Sequence, residues 1–353
     1  MLTLQETLAG QSDLEKLCAD RPLRTREAFA PNAYYGNGRI LKQYAGLPHN
    51  HSVKAIIPHG VVFDETYIWK AEAKAPVPIV FCWPPYREQA YAALAGKKVI
   101  PSAAPFLYVV EMLKNQPQPS REGTIFFPHH STHYVTASMD FERLAEALAH
   151  LAAECQPVTV CIYWRDYNLG HHLPFEQRGL RIVSAGHMYD PDFLFRFYHL
   201  CSIHRYASAN GLGSNMFYSV KAGCSYFYFS GVVSHHLAED HIRERDVSGI
   251  SSGTELALKA LFNSPQPSAT AQQLSETDYY LGAGQLKSPA ALRKQLLQAE
   301  VLDKTGFVSR TGAGEARLVA PPCLRRGVRR LGRKLLATAR RLSGGRTSDA
   351  RDP

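Results

Sequence analysis

Several things this chain of 353 residues lacks narrow its function before any motif is considered. No window holds eighteen uninterrupted apolar residues, so a membrane-spanning helix is not expected. The start, "MLTLQETLAGQSDLEK", has no apolar run behind a basic end and does not read as a secretory signal. The seven cysteines, Cys18, Cys82, Cys155, Cys161, Cys201, Cys224 and Cys323, form no CxxC pair. Most sit in apolar runs, where a free thiol is a small hydrophobe, which fits a reducing compartment. There is no GK[ST] phosphate loop, no third glycine of a dinucleotide fingerprint and no internal repeat.

Charge is scarce except at one end. Of the net +9, the thirty residues from Leu324 onward carry ten Lys+Arg against two Asp, leaving +1 for the other 323. That segment places Leu324, Val328, Leu331, Leu335, Ala339 and Leu342 at helical steps of three and four. Arg325, Arg326, Arg329, Arg330, Arg333 and Lys334 occupy the other faces. A basic amphipathic C-terminal helix of this kind suits an anionic lipid surface, with Leu331 and Leu335 among the inserted side chains. It contains no aromatic ring to stack on bases, so nucleic acid is not the expected partner. The pattern predicts a cytoplasmic protein held peripherally on the inner face of the plasma membrane.

What remains is a regular alternation. "PIVFCWPP", "GTIFFP", "PVTVCIYW", "RIVSAG", "YASAN" and "CSYFYFSG" read as short buried strands, with helical stretches between them. The "DPDFLFRFYHLCSIHR" stretch reads as a helix with Asp190 as N-cap and Pro191 at its first position. "KNQPQPSREG" reads as a linker. The expectation is α/β: two facing Rossmann-like, doubly wound domains. An acceptor-side domain spans 1–117 and a nucleotide-sugar-binding domain 118–262. A helical or irregular segment follows at 263–320, and then the basic tail at 321–353.

In open α/β sheets, ligands bind beyond the carboxyl ends of the strands. The residues found there are His59-Gly60 followed by Asp64 and Glu65; the set His129, His130, Ser131, Thr132 and His133; Arg165 and Asp166; His187 and Asp190; and Gly211, Gly213, Ser214 and Asn215. "SANGLGSNMFYSVKAG" runs strand, Gly-rich turn and helix. Free N–H groups of the helix start would meet an anion, helped by Ser208, Asn210, Ser214, Asn215 and Lys221. Neither the 129–133 histidines nor His235-His236…Glu239…His241 shows the spacing of a zinc site, so no metal is expected.

Here the chain resembles a known group. "FFPHHSTHY", "GHMYDPDF" and "SANGLGSNMFYSVKAG" resemble the second domain of GT-B-type glycosyltransferases, nearest the sialyl- and Kdo-transferase-like enzymes of bacterial capsule and O-antigen assembly. "IPHG" resembles the His-Gly strand end of teichoic-acid-type glycerophosphotransferases of the same architecture. The likeness covers about residues 50 to 235. It implies transfer of a sugar from a nucleotide-activated donor to a hydroxyl of a lipid-linked or surface polysaccharide, without metal or other cofactor. His59, Asp64 or Glu65 would be the general base. His129, His130, Ser131, Thr132, His133, Arg165, His187, Lys221 and the 208–215 turn would hold the donor. The alternatives are a CDP-alditol glycerophosphotransferase, a sugar-nucleotide epimerase, or a non-catalytic component of polysaccharide assembly.

Overall fold

A computed structural model describes residues 1–94, 96–132, 135–233, 235–238, 252–305, 307–310 and 316–319. It is an α/β protein with two parallel sheets. The first holds β1 (Ala55–Ile56), β2 (Ile79–Cys82) and β3 (Lys98–Pro101) in that order. The second is built from β4 (Thr124–Phe127), β6 (Val158–Cys161), β7 (Arg181–Val183), β8 (Tyr206–Ala209) and β9 (Ser225–Tyr228). Its order is β7-β6-β4-β8-β9, all parallel, so the chain reverses its direction of travel between β4 and β8. Strands β4, β6 and β8 are buried at every residue. This is why they read as largely apolar runs rather than alternations, with the small polar residues Thr124, Thr159 and Ser208 buried among them. The missing strand β5 (Val135–Ser138) pairs antiparallel with β10 (His235–Ala238) at the edge of the fold. A further antiparallel pair joins β11 (Phe307–Arg310) and β12 (Ala316–Val319).

Helices cover both faces. Asp140 accepts from the Arg143 amide and starts the Phe141–Ala149 helix. Its Leu144, Ala145 and Leu148 pack against Phe126, Val158 and Val160. The Phe193–Ser202 helix is buried from Leu194 to Ser202 and belongs to a core that reaches both sheets, from Ile79 and Phe81 to Ile125, Ala207 and Tyr226. Its start differs from the sequence expectation. The N-cap is Asp192, and the Asp190 carboxylate instead accepts from the Asp192 amide at 2.9 Å and pairs with Arg196 at 2.5 Å. Arg196 is nearly buried within the helix, so the nearest carboxylate is needed to balance its charge.

The stretch read as a linker is tied down. Arg121 donates to the carbonyls of Cys201, His204 and Ala222. The segment beyond residue 262 also returns to the body. The Ala271–Leu281 helix opens on a Thr270–Gln273 capping box, and the Leu281 carbonyl accepts from the Ala104 amide at 2.9 Å. The Pro289–Thr305 helix buries Leu292, Leu296 and Ala299 in the same core as Ile40 and Leu41. Among the described residues, no helix is long and apolar enough to cross a membrane. The predicted lipid-facing residues Arg325, Arg326, Arg329, Arg330, Leu331, Arg333, Lys334 and Leu335 lie outside the described residues, as do His133, Glu239 and His241.

Candidate functional site

The strand order fixes where a ligand can sit. Where β4 and β8 lie side by side, the segments that leave their carboxyl ends part company and open a crevice. His129 N–H donates to Asn210 Oδ1 at 2.8 Å across this point, and Asn210 Nδ2 meets Met139 Sδ at 3.2 Å. Gly211 lies so close to the His129 ring that a Cβ there would stand 2.8 Å from Cγ. Asn210, Gly211 and His129 therefore brace the crevice.

The end of β1 comes in from the other sheet. Trp83 Nε1 holds the Pro58 carbonyl at 3.1 Å, and Tyr86 Oη donates to the Val62 carbonyl at 2.7 Å. Between these anchors, Val61 N–H donates to Ser214 Oγ at 2.8 Å. Ser214 is the first residue of the Ser214–Lys221 helix. That one bond sets the β1 end against the helix start. A cavity of about 280 Å³ lies between them, lined by His59, Gly60 and Val61 on one side and by Phe127, Pro128, His130, Gly213, Ser214 and Asn215 on the other.

His59 sits in a nest of rings: edge-on to Tyr34 at 5.7 Å and Trp69 at 5.6 Å, and stacked on Tyr35 at 6.4 Å. Desolvation by this surround pushes its pKa down to about 4, and the Arg87 guanidinium pushes the same way. His59 is therefore neutral near pH 7, with one ring N–H and one lone pair. Arg87, 1% exposed, is held by the Tyr67 carbonyl and lies over the Tyr91 ring at 4.7 Å. Tyr91 Oη donates in turn to the buried Glu72 at 2.9 Å, and burial raises the Glu72 pKa.

The back wall is aromatic, and sequence reasoning missed it. Tyr35 has φ +56°, the one positive φ outside glycine among the described residues. Its amide donates to the Met188 carbonyl at 2.7 Å, its ring packs on Phe193 at 4.9 Å, and its hydroxyl shares a 3.2 Å hydrogen bond with Tyr163. Burial raises the pKa of both phenols, so both stay protonated. Exposed His130 lies over the Tyr163 ring at 4.5 Å. Tyr218 and Phe197 complete the wall. The signal available was "AYYGNG", paired aromatics beside turn-forming residues.

Other expected site residues have different work. Asp64 accepts from the Thr66 amide and hydroxyl and the Tyr67 amide, bonds that lower its pKa and make it a turn cap. Glu65 is exposed; neither carboxylate lines the cavity. Ser131 is wholly buried: its amide and hydroxyl both donate to Asp166, at 2.9 and 2.7 Å, and its Oγ accepts from Ala137 N–H. Burial raises the Asp166 pKa, but hydrogen bonds from His171 and Ser131 outweigh it, and the net shift is down. The carboxylate stands between serine and imidazole, so His171 does not reach the hydroxyl, and with Ser131 wholly buried this is a structural corner and not a nucleophile. Thr132 closes a turn with Val135.

His187 is buried, accepting from the Tyr189 amide at Nδ1 and facing Asp20 through Nε2. Ser208 is buried within β8. Arg165 lies in the Trp164–Asn168 helix, outside the cavity lining. Lys221 pairs with Asp278 at 2.8 Å, at the far end of its helix from Ser214. No group of three or more His, Cys, Asp or Glu among the described residues is placed to hold a metal.

No protein-family model matches this chain, and no curated protein matches it significantly. One solved structure of similar outline is UDP-GlcNAc 2-epimerase from Neisseria meningitidis bound to UDP-GlcNAc. It aligns over 84% of this chain and 89% of that one, at 10% identity and a TM-score of 0.35.

Chemically, the cavity offers three things together. A neutral imidazole faces it from the first sheet. The free N–H groups at the start of the Ser214 helix, with His130, offer donors to an anion from the second. A wall of phenol and phenyl rings suits the face of a planar or sugar ring.

Proposed function

We propose that this protein is a nucleotide-sugar-dependent glycosyltransferase that binds the phosphate of its donor at the Ser214 helix start and His130, with His59 serving the reacting hydroxyl. The observation that carries this reading is the convergence of His59-Gly60-Val61 with Gly213-Ser214-Asn215 on one cavity, joined by the Val61–Ser214 bond. A neutral imidazole can take a hydroxyl proton, and fixed N–H donors can stabilise a departing phosphate. Of the three candidates for the base, His59 alone lines the cavity. In this reading the acceptor is a membrane-anchored glycan, and the basic segment from Leu324 holds the enzyme on the anionic surface where that glycan resides.

The size of the cavity favours a second reading. About 280 Å³ is at the small end for ligand sites, which suits one bound substrate better than a donor and an acceptor together. An enzyme that rearranges the nucleotide sugar itself, such as an epimerase, needs no second substrate. Thermal unfolding with CMP, CDP, UDP and GDP tests the shared part. A nucleotide at a hundred times its Kd should stabilise by about 2.7 kcal/mol. No stabilisation by any of the four would end both readings. Sugar turnover without a glycan acceptor would favour rearrangement, and nucleotide release only with an acceptor would favour transfer. Flotation with anionic vesicles, comparing the full chain with one ending at residue 320, checks the membrane role.

A further inference from the structure

A second and larger opening lies directly behind the cavity. Residues close in sequence divide the two: Tyr35 lines the cavity and Gly36 the groove behind it, while Phe193 lines the cavity and Pro191, two positions earlier, the groove. The groove measures about 940 Å³. Its lining contains Arg24, Arg26, Arg39 and Lys42 against a single acid, Glu27.

Two of these cations are already used. Lys42 Nζ pairs with Glu27 at 2.5 Å and donates to the His49 and His51 carbonyls. The other Glu27 oxygen accepts from Val53 N–H, so this pair fastens the 49–53 loop. Arg39 pairs with Asp192 at 2.8 Å. Arg24 and Arg26 are exposed and have no acidic partner among the described residues. Around them, Thr25, Gln43 and Asn50 supply a hydroxyl and two amides. No Phe, Tyr or Trp among the described residues lines the groove; its only aromatic rings are the imidazoles of His49 and His51.

We propose that this groove binds an acidic oligosaccharide, with carboxylates on Arg24 and Arg26 and sugar hydroxyls on Thr25, Gln43 and Asn50. A planar guanidinium holds a carboxylate through two parallel hydrogen bonds. A nucleotide fits less well, because no Phe, Tyr or Trp is there for a base to stack on and the only aromatic rings are the imidazoles of His49 and His51. A lone phosphate is too small for a space more than three times that of the neighbouring cavity. Binding in the groove is independent of the transfer reading; only the role of the bound chain as glycosyl acceptor rests on it.

The test is calorimetric titration of the full chain with an oligogalacturonate and with a neutral malto-oligosaccharide of equal length. It is run on wild type, on Arg24→Ala/Arg26→Ala and on the corresponding double lysine variant. Because both side chains are exposed, the variants should unfold at the wild-type temperature. The basic segment from Leu324 is present in all three, so any binding it contributes cancels. The acidic chain should bind and the neutral one should not. The double alanine variant should bind about tenfold more weakly or worse, with the lysine variant between them. All three should keep the same response to nucleotides. Equal binding of the neutral chain, an unchanged affinity in the double alanine variant, or displacement by nucleotide would each overturn the proposal. Should the acidic chain bind while no nucleotide does, the groove stands and the transfer reading falls. Should a nucleotide bind and the acidic chain not, the groove assignment alone falls.

Discussion

His59 should make this protein acid-sensitive in a way that can be isolated. Its imidazole titrates at 6.5 when free and at about 4 inside its ring nest, chiefly because burial penalises the charged form. Below pH 6.5 the unfolded chain therefore binds a proton that the folded protein refuses. The stability His59 lends is present in full above 6.5, falls as the pH drops toward 4, and changes no further below it. At about 1.4 kcal/mol per unit, the ceiling is roughly 3.4 kcal/mol. The ring is half-buried and open to the cavity, so a discounted figure of about 1–2 kcal/mol at pH 5 is the expectation. Buried His199 and His204 are also shifted down, so the pH dependence of the wild type alone cannot assign the effect. The informative quantity is a difference: urea unfolding of wild type and of His59→Asn, each at neutral pH and at pH 5. Wild type should lose about 1–2 kcal/mol more than the variant on acidification. Equal losses, or an imidazole proton resonance of His59 that titrates near 6.5, would refute the reasoning.

Three further outcomes follow from particular contacts. Gly36 has φ +78°, and a Cβ there would collide with the Pro191 backbone carbonyl, so Gly36→Ala should cost about 2–4 kcal/mol, read as a lowered Tm. Ser131→Ala removes the hydroxyl donor on buried Asp166 and the acceptor of the Ala137 amide and should cost about 1–3 kcal/mol, yet leave nucleotide-induced stabilisation unchanged, because the residue braces and does not bind. Tyr35→Phe should cost about 1 kcal/mol through loss of the Tyr163 bond while keeping the ring wall; nucleotide binding measured by the same thermal panel should weaken far less than in Tyr35→Ala.

The parts of this fold readable in the sequence are those set by short-range pattern. β4, β6, β8 and β9 are largely apolar runs because both faces of a parallel strand are covered, and that needs no knowledge of partners. β5 escaped because it is an edge strand of mixed burial, with its partner about a hundred residues away. Asp190 is a good N-cap by type, but Arg196, buried six positions on, competes for its carboxylate and wins. Local preference yields there to the cost of an unpaired buried charge.

The same distinction sorts the site. Position relative to a strand end is fixed by topology, so reading beyond the ends of β1, β4 and β8 led to His59, His130 and Gly213 to Asn215, which do line one cavity. Whether a polar side chain is free to bind is decided by a partner remote in sequence. Asp166 occupies Ser131 from 35 residues away, and Asp278 occupies Lys221 from 57. Tyr35 shows the converse. Its hydroxyl reaches Tyr163 across 128 residues from a left-handed turn that no periodicity announces, and it separates the cavity from the groove. A residue that divides two openings acts on whatever passes between them. If transfer is the reaction, the size of the side chain at position 35 should govern which acceptor ends can reach His59. That residue was invisible to a search for polar chemistry because it contributes shape and a single hydrogen bond.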